Sequence, residues 1–167
     1  MYRAPKYSSE NPGEFYKKLN HELLQLIEYE GEWLAALTNA AALLGHQLEH
    51  INWAGFYLTK GELLILGPFQ GKPACSAIVI GNGVCGLSAQ TKETVVVPDV
   101  HQFPGHITCD EASQSEIVVP VLLNGKLCGV LDIDSPVKDR FSPADKAGLE
   151  EFVAILVRYI DWSKVRF

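Results

Sequence analysis

Six short apolar runs, each of strand length, follow one another between residues 52 and 133, and this succession restricts the fold more than any other feature. They occupy 52–58, 63–66, 77–80, 95–97, 117–123 and 127–133. Lys60-Gly61 reads as the turn joining the first two. Asn124-Gly125 joins the last two and is the strongest hairpin signal in the chain, because both residues tolerate the positive φ of a type I′ turn. A tight turn joins strands only in antiparallel fashion. Between the third and fourth runs, Gly81-Asn82-Gly83 breaks the chain before a short helix expected over 84–90.

Amphipathic helical regions bracket the strands. Asn11 is placed to cap, Pro12 suits the first helical position and Glu14 sits in the first turn. Phe15, Leu19, Leu23, Leu26 and Ile27 then recur at spacings of three and four. Gly31 interrupts the pattern; Trp33, Leu34, Leu37, Ala41 and Leu44 resume it, and Gly45 reads as its stop. At the other end, Ser142-Pro143-Ala144-Asp145 supplies a cap, a first-position proline and a third-position acid, ahead of Leu149, Phe152, Val153, Leu156, Val157 and Ile160. The expectation is one α+β domain over residues 1–167, with a central antiparallel sheet of about six strands and both helical regions on one face.

Composition excludes several function classes. A formal net charge of −6, with no Lys/Arg cluster, argues against nucleic acid or an anionic membrane as the main partner. No apolar run approaches the ~20 residues that span a bilayer. The leading Met1-Tyr2-Arg3-Ala4-Pro5-Lys6 lacks the apolar core of a signal peptide, which points to a cytoplasmic, reducing location. There the four cysteines, Cys75, Cys85, Cys109 and Cys128, are expected to be free, catalytic or redox-active rather than structural bridges. None of them forms a Cys-x-x-Cys pair. Cys128 lies in the apolar run Leu127-Cys128-Gly129-Val130-Leu131 and reads as a buried, inert residue.

The connection from Pro98 to Glu116 is long for a compact domain and shows neither helical nor strand periodicity. It carries Cys109, His101, His106, Asp99, Asp110, Glu111 and Glu116 between two rigid strands, a reasonable place for chemistry. Cys75 precedes a strand and Cys85 sits near a helix start, where a thiol ionises more readily. Brought together, two or three such thiols complete a redox cycle, one becoming a sulfenic acid and another condensing with it; spacing does not decide whether they meet. Asp132 and Asp134 alternate on one strand and share a face, open either to water or to a pocket that binds an ammonium group. Trp53 and Tyr57 share a face of their strand as well, either as core or as the wall of a small apolar pocket. His101, His106, Cys109 and Asp110 have zinc-ligand chemistry without the tight paired spacing of zinc motifs.

Taken together, Asn52-Trp53-Ala54-Gly55-Phe56-Tyr57, Gly67-Pro68-Phe69-Gln70-Gly71-Lys72, Gly83-Val84-Cys85-Gly86, Gly105-His106-Ile107-Thr108-Cys109-Asp110, Ser115-Glu116-Ile117-Val118 and Gly129-Val130-Leu131-Asp132-Ile133-Asp134-Ser135 resemble the free methionine-R-sulfoxide reductases, single-domain enzymes of the GAF fold. The resemblance implies reduction of the R epimer of free methionine sulfoxide. It implies Cys109 as nucleophile, Cys75 as the usual resolving thiol and Cys85 as a third thiol able to enter disulfides. Glu116, Asp132 and Asp134 correspond to acids around the substrate, and Trp53 and Tyr57 to the aromatic part of the pocket. It implies no metal or organic cofactor and thioredoxin as electron donor, and it is compatible with a homodimer. Two other readings remain: a GAF sensor module that binds a small ligand without catalysis, and a zinc-stabilised interaction domain.

Overall fold

A computed structural model describes residues 5–7, 10–29 and 31–166; Met1 to Ala4, on which part of the signal-peptide reading rests, lies outside the described residues. The chain runs α1 (Pro12–Ile27), α2 (Trp33–Gln47), β1 (Trp53–Lys60), β2 (Leu63–Gly71), β3 (Ala77–Val79), α3 (Gly83–Thr91), β4 (Val95–Val97), β5 (Ser115–Leu123), β6 (Lys126–Ser135) and α4 (Pro143–Tyr159). Short 3-10 turns at Val100–Gln102 and Trp162–Lys164 complete it.

The six strands form one antiparallel sheet in the order β3-β2-β1-β6-β5-β4. The first and last long strands, β1 and β6, therefore meet at its centre, and each brings its hairpin partner to the outside. Both predicted caps form. The Asn11 side chain accepts from the backbone N–H groups of Gly13 and Glu14 at 2.9 and 3.3 Å. Ser142 and Asp145 close a reciprocal capping box at the head of α4. Asp145 also accepts the Tyr16 hydroxyl at 2.7 Å and is gripped by Arg140 Nη1 at 3.2 Å, which pins α1 to α4.

Three local expectations are corrected. Helix α2 runs through Gly45 to Gln47, because Gly45 lies against Gln70 of β2 instead of ending the helix. Strand β2 continues to Gly71, five residues past the apolar run, by absorbing Gly67 and Pro68 in a bulge opposite Phe56. The first hairpin turns at Gly61 and Glu62 rather than at Lys60.

The pleat divides every central strand between two faces. Ala54, Phe56, Leu58, Ile117, Val119, Val121, Leu131 and Ile133 pack under α1, α2 and α4 in the larger core. Trp53, Tyr57, Val118 and Val130 point the other way, toward α3 and the loops, with Leu64, Ile78, Val84 and Cys85. The helices near the two chain ends thus share one face, as the apolar stripes predict, and the opposite face is left to α3 and the 98–114 connection. Cys128 is only half-buried, against the edge of the larger core, so its expected full burial is not met.

Candidate active site

Strand register assembles the site. Trp53 of β1 is paired with Asp134 of β6, which is paired with Glu116 of β5. One step along, Gly55 is paired with Asp132, and Asp132 with Val118. The three carboxyls thereby converge on the face away from the long helices. Glu116 and Asp132 are 5% and 6% exposed, which removes the water-facing alternative for Asp132. Gly55 is what lets the aromatic wall lie flat: a Cβ there would come within 2.8 Å of the Trp53 ring and 2.3 Å of Phe69. Trp53 stacks on Tyr57 at 5.9 Å and on Phe69 at 5.2 Å between centroids.

The aromatic tips hold the segment that carries Cys75. Trp53 Nε1 donates to the Lys72 carbonyl at 3.1 Å, and the Tyr57 hydroxyl donates to the Cys75 carbonyl at 3.0 Å. From the other side, Asn52 Nδ2 donates to Asp110 Oδ2 and to Ser113 Oγ, both at 3.1 Å, and so anchors the loop that carries Cys109. Lys72 reaches Asp110 Oδ1 at 3.4 Å, which ties the two segments directly. Cys75 and Cys109 are joined in a disulfide, with Cα atoms 5.8 Å apart across 34 residues of sequence. Cys75 is half-buried and Cys109 exposed, so the bridge is open to an external thiol.

Cys85 lies beneath. Helix α3 starts at Gly83, whose φ of 64° suits glycine and against which Ile107 of the loop packs. The Cys85 thiol is 3.9 Å from Glu116 Oε1. Its position near a helix start predicts easy ionisation, and the structure reverses that expectation. Burial first, and then Asp132 and Glu116, push the thiol well above its ordinary range, outweighing any effect of the helix end. Cys85 is a protonated thiol at neutral pH.

The acids are shifted in the same direction. Burial pushes Glu116, Asp132 and Asp134 well above the carboxylate range. A neighbouring acid adds to this in each case: Asp134 for Glu116, Glu116 for Asp132 and Asp132 for Asp134. The contact between Glu116 and Asp132 adds to the rise at Asp132 and offsets part of the rise at Glu116.

His106 was singled out from the sequence as a possible zinc ligand, not as a partner of Glu116. Its Nε2 lies 3.3 Å from Glu116 Oε2. Burial holds the imidazole below its usual range, so the contact joins a neutral ring to the carboxyl instead of forming an ion pair. Its position three residues before Cys109 on the same loop was the available signal. The zinc-like grouping of His101, His106, Cys109 and Asp110 does not assemble; among the described residues, the groups close enough to share an ion are Cys85, Glu116 and Asp132.

Trp53, Tyr57, Cys85, His106, Cys109, Glu116, Asp132 and Asp134 line one cavity. The space left inside is about 30 Å³, room for one or two waters and too little for an amino acid. Among the described residues, no helix is long and apolar enough to cross a membrane.

The GAF domain family matches residues 32–160. The free methionine-R-sulfoxide reductase of Escherichia coli is 48% identical over 150 residues, covering 90% of this chain and 91% of that protein. Its namesake from Saccharomyces cerevisiae is 48% identical over 145 residues, covering 78% of this chain and 81% of that one. The X-ray structure of free methionine-R-sulfoxide reductase from Neisseria meningitidis in complex with its substrate superposes with a TM-score of 0.92 at 37% identity, over 98% of each chain. A fold with this register, a Cys75–Cys109 disulfide beside the cavity that Cys109 lines and relatives matched over most of their length leave one assignment: the chain belongs to the GAF-fold free methionine-R-sulfoxide reductases.

Proposed function

We propose that this chain reduces free L-methionine (R)-S-oxide to L-methionine, with Cys109 as nucleophile and Cys75 as resolving thiol. The observation that carries the reading is the Cys75–Cys109 bridge, whose Cys109 lines a cavity with an aromatic wall, the buried carboxyls of Glu116 and Asp132 and the half-buried Asp134. The stacked Trp53 and Tyr57 rings receive the S-methyl group. Asp134 and Asp132 face the substrate ammonium, and Glu116 faces the sulfoxide oxygen. The pair Asp132–Glu116 retains a proton near neutrality, which the departing oxygen requires. His106 orients the Glu116 carboxyl from the loop side.

The Cys109 thiolate attacks the sulfoxide sulfur while the oxygen takes up a proton. The oxygen ends on Cys109 as a sulfenic acid, the sulfoxide sulfur gains two electrons, and methionine leaves. The Cys75 thiol then attacks the Cys109 sulfur, expelling the oxygen as water and closing the disulfide. An external dithiol, thioredoxin in our reading, reduces the exposed bridge. A ligand-sensing domain would use the same walls but assigns no role to the bridged pair.

The test is methionine release from each purified sulfoxide epimer, with thioredoxin or dithiothreitol as reductant. The R epimer is consumed and the S epimer is not, and Cys109→Ser abolishes release. Equal turnover of both epimers, or full activity in Cys109→Ser, overturns the reading.

A further inference from the structure

We infer that Asp110 is a positioning residue for the resolving step: its carboxylate ties the Cys75 segment to the Cys109 loop and so brings the Cys75 thiol onto the sulfur of Cys109. The inference deepens the proposed function and rests on that reading for the identity of the step. The sheet does not by itself bring the two cysteines together. Cys75 lies between β2 and β3, toward one edge, and Cys109 between β4 and β5, toward the other, with β1 and β6 in between. Among the described residues, no strand pairing joins the two segments. Asp110, next to Cys109, makes the crossing contacts. Its Oδ1 accepts the backbone N–H of Ala112 at 2.9 Å, an Asx turn that bends the loop. The same oxygen meets Lys72 Nζ, three residues before Cys75, at 3.4 Å. Its Oδ2 accepts from Asn52 Nδ2 at 3.1 Å. Asn52 is itself fixed to the middle of the sheet, because its backbone N–H donates to the Asp134 carbonyl at 2.9 Å. One carboxylate is thus held by its own loop, by the sheet and by the Cys75 segment.

The electrostatics assign Asp110 to the second step and not the first. The Ala112 N–H, and then Asn52, hold its carboxyl below the usual carboxylate range, so it is an anion at neutral pH, unlike the pocket acids. A fixed anion beside a thiol disfavours the thiolate. Asp110 therefore gives nothing to the attack of Cys109 on the sulfoxide. In the later step the Cys75 thiol attacks the Cys109 sulfenic sulfur. The S–O bond breaks and the S–S bond forms, and the oxygen leaves as water with the thiol proton and its own. The Cys75 sulfur is oxidised and the sulfenic sulfur reduced. That step needs two separate segments held in contact, and fixed proximity is what Asp110 supplies. The Lys72 side chain is 72% exposed, and an exposed ion pair is weak. Loss of Lys72 alone therefore matters less than loss of Asp110, which releases the sheet anchor as well.

The test follows both steps in the fully reduced chain without external reductant. Free methionine (R)-S-oxide is added and methionine is quantified in quenched samples. Cys109 is mapped by mass spectrometry, either as a dimedone-trapped sulfenic acid or as its disulfide with Cys75. In Asp110→Ala the first methionine is expected within about twofold of the parent rate, whereas disulfide closure slows by about tenfold or more and the dimedone adduct of Cys109 accumulates. Lys72→Met leaves the Asn52 and Ala112 contacts in place and guards against misfolding of the loop. It is expected to slow closure about threefold, and Lys72→Arg to restore it. Hydrogen peroxide separates the inference from the reading it rests on. It also converts Cys109 to the sulfenic acid, with water as by-product, and the same slowing of closure is expected. Closure at the parent rate in Asp110→Ala with both oxidants overturns the inference. So does equal slowing of methionine release and closure in both Asp110→Ala and Lys72→Met, which marks a general loosening of the loop. If peroxide-driven closure slows as expected while the parent chain releases no methionine from the sulfoxide, the inference stands and the proposed reduction is wrong.

Discussion

The two faces of the central sheet are made by the same strands and follow opposite rules. Toward the long helices, β1, β5 and β6 present Phe56, Leu58, Ile117, Val119, Leu131 and Ile133, apolar and sealed. One residue over in each strand, the other face presents Trp53, Glu116, Asp132 and Asp134. Both faces are buried, yet only one is satisfied by burial. Like charges paired across neighbouring strands are destabilising, and buried carboxyls without cations are costly. The difference separates what the fold needs from what the chemistry needs: one face stabilises the domain, and the other is held in place by it.

The largest test of that division is Phe56→Ala. It empties a fully buried ring position and is expected to cost about 3–5 kcal/mol in chemical denaturation. The folded fraction should keep its substrate affinity, because no site residue is touched. Glu116→Gln reverses the pattern. The turnover number is expected to fall by about 100-fold or more while stability holds or rises, since a neutral amide replaces a buried acid. Asp134→Asn is the milder counterpart, raising KM by roughly tenfold with a smaller change in kcat, read from the same steady-state assay.

The smallest effect is a pH dependence. The carboxyls of Glu116, Asp132 and Asp134 sit well above their ordinary values, so the folded chain keeps protons that the unfolded chain releases above about pH 4. Stability from these groups is full below the unfolded carboxylate range and declines as pH rises toward their folded values. Asp132→Asn should flatten that decline in thermal melts between pH 5 and 8 while leaving the curve at pH 4 nearly unchanged. A steeper decline in the variant would place the charged form of Asp132 in the folded state.

The fold was legible wherever periodicity and turn chemistry agreed. Asn11, Ser142 and Asn124-Gly125 marked ends that the structure reproduces, and the parity of Trp53 with Tyr57 and of Asp132 with Asp134 placed each pair on one face. Gly45 and Gly67-Pro68 misled because glycine and proline also serve close packing and bulges inside elements, which needs the tertiary neighbour to recognise. Asp132 is buried against Glu116 and against Cys85 of α3, and nothing in a strand's own sequence encodes where that helix lies. The meeting of Cys75 with Cys109 across 34 residues was carried by family resemblance alone. The contact of His106 with Glu116 was not legible, because a loop whose course no local pattern fixes brings the two together. Asn52 was noticed only as part of a motif, whereas it anchors the Cys109 loop through Asp110 and Ser113.

The most direct test of the account is a single turnover. Fully reduced protein is mixed with free methionine (R)-S-oxide without reductant, and methionine is quantified while the thiols are trapped and mapped by mass spectrometry. The account predicts one methionine per chain, a new peptide pair joined through Cys75 and Cys109, and Cys85 recovered as a free thiol. Methionine released with Cys75 and Cys109 both still reduced would contradict it.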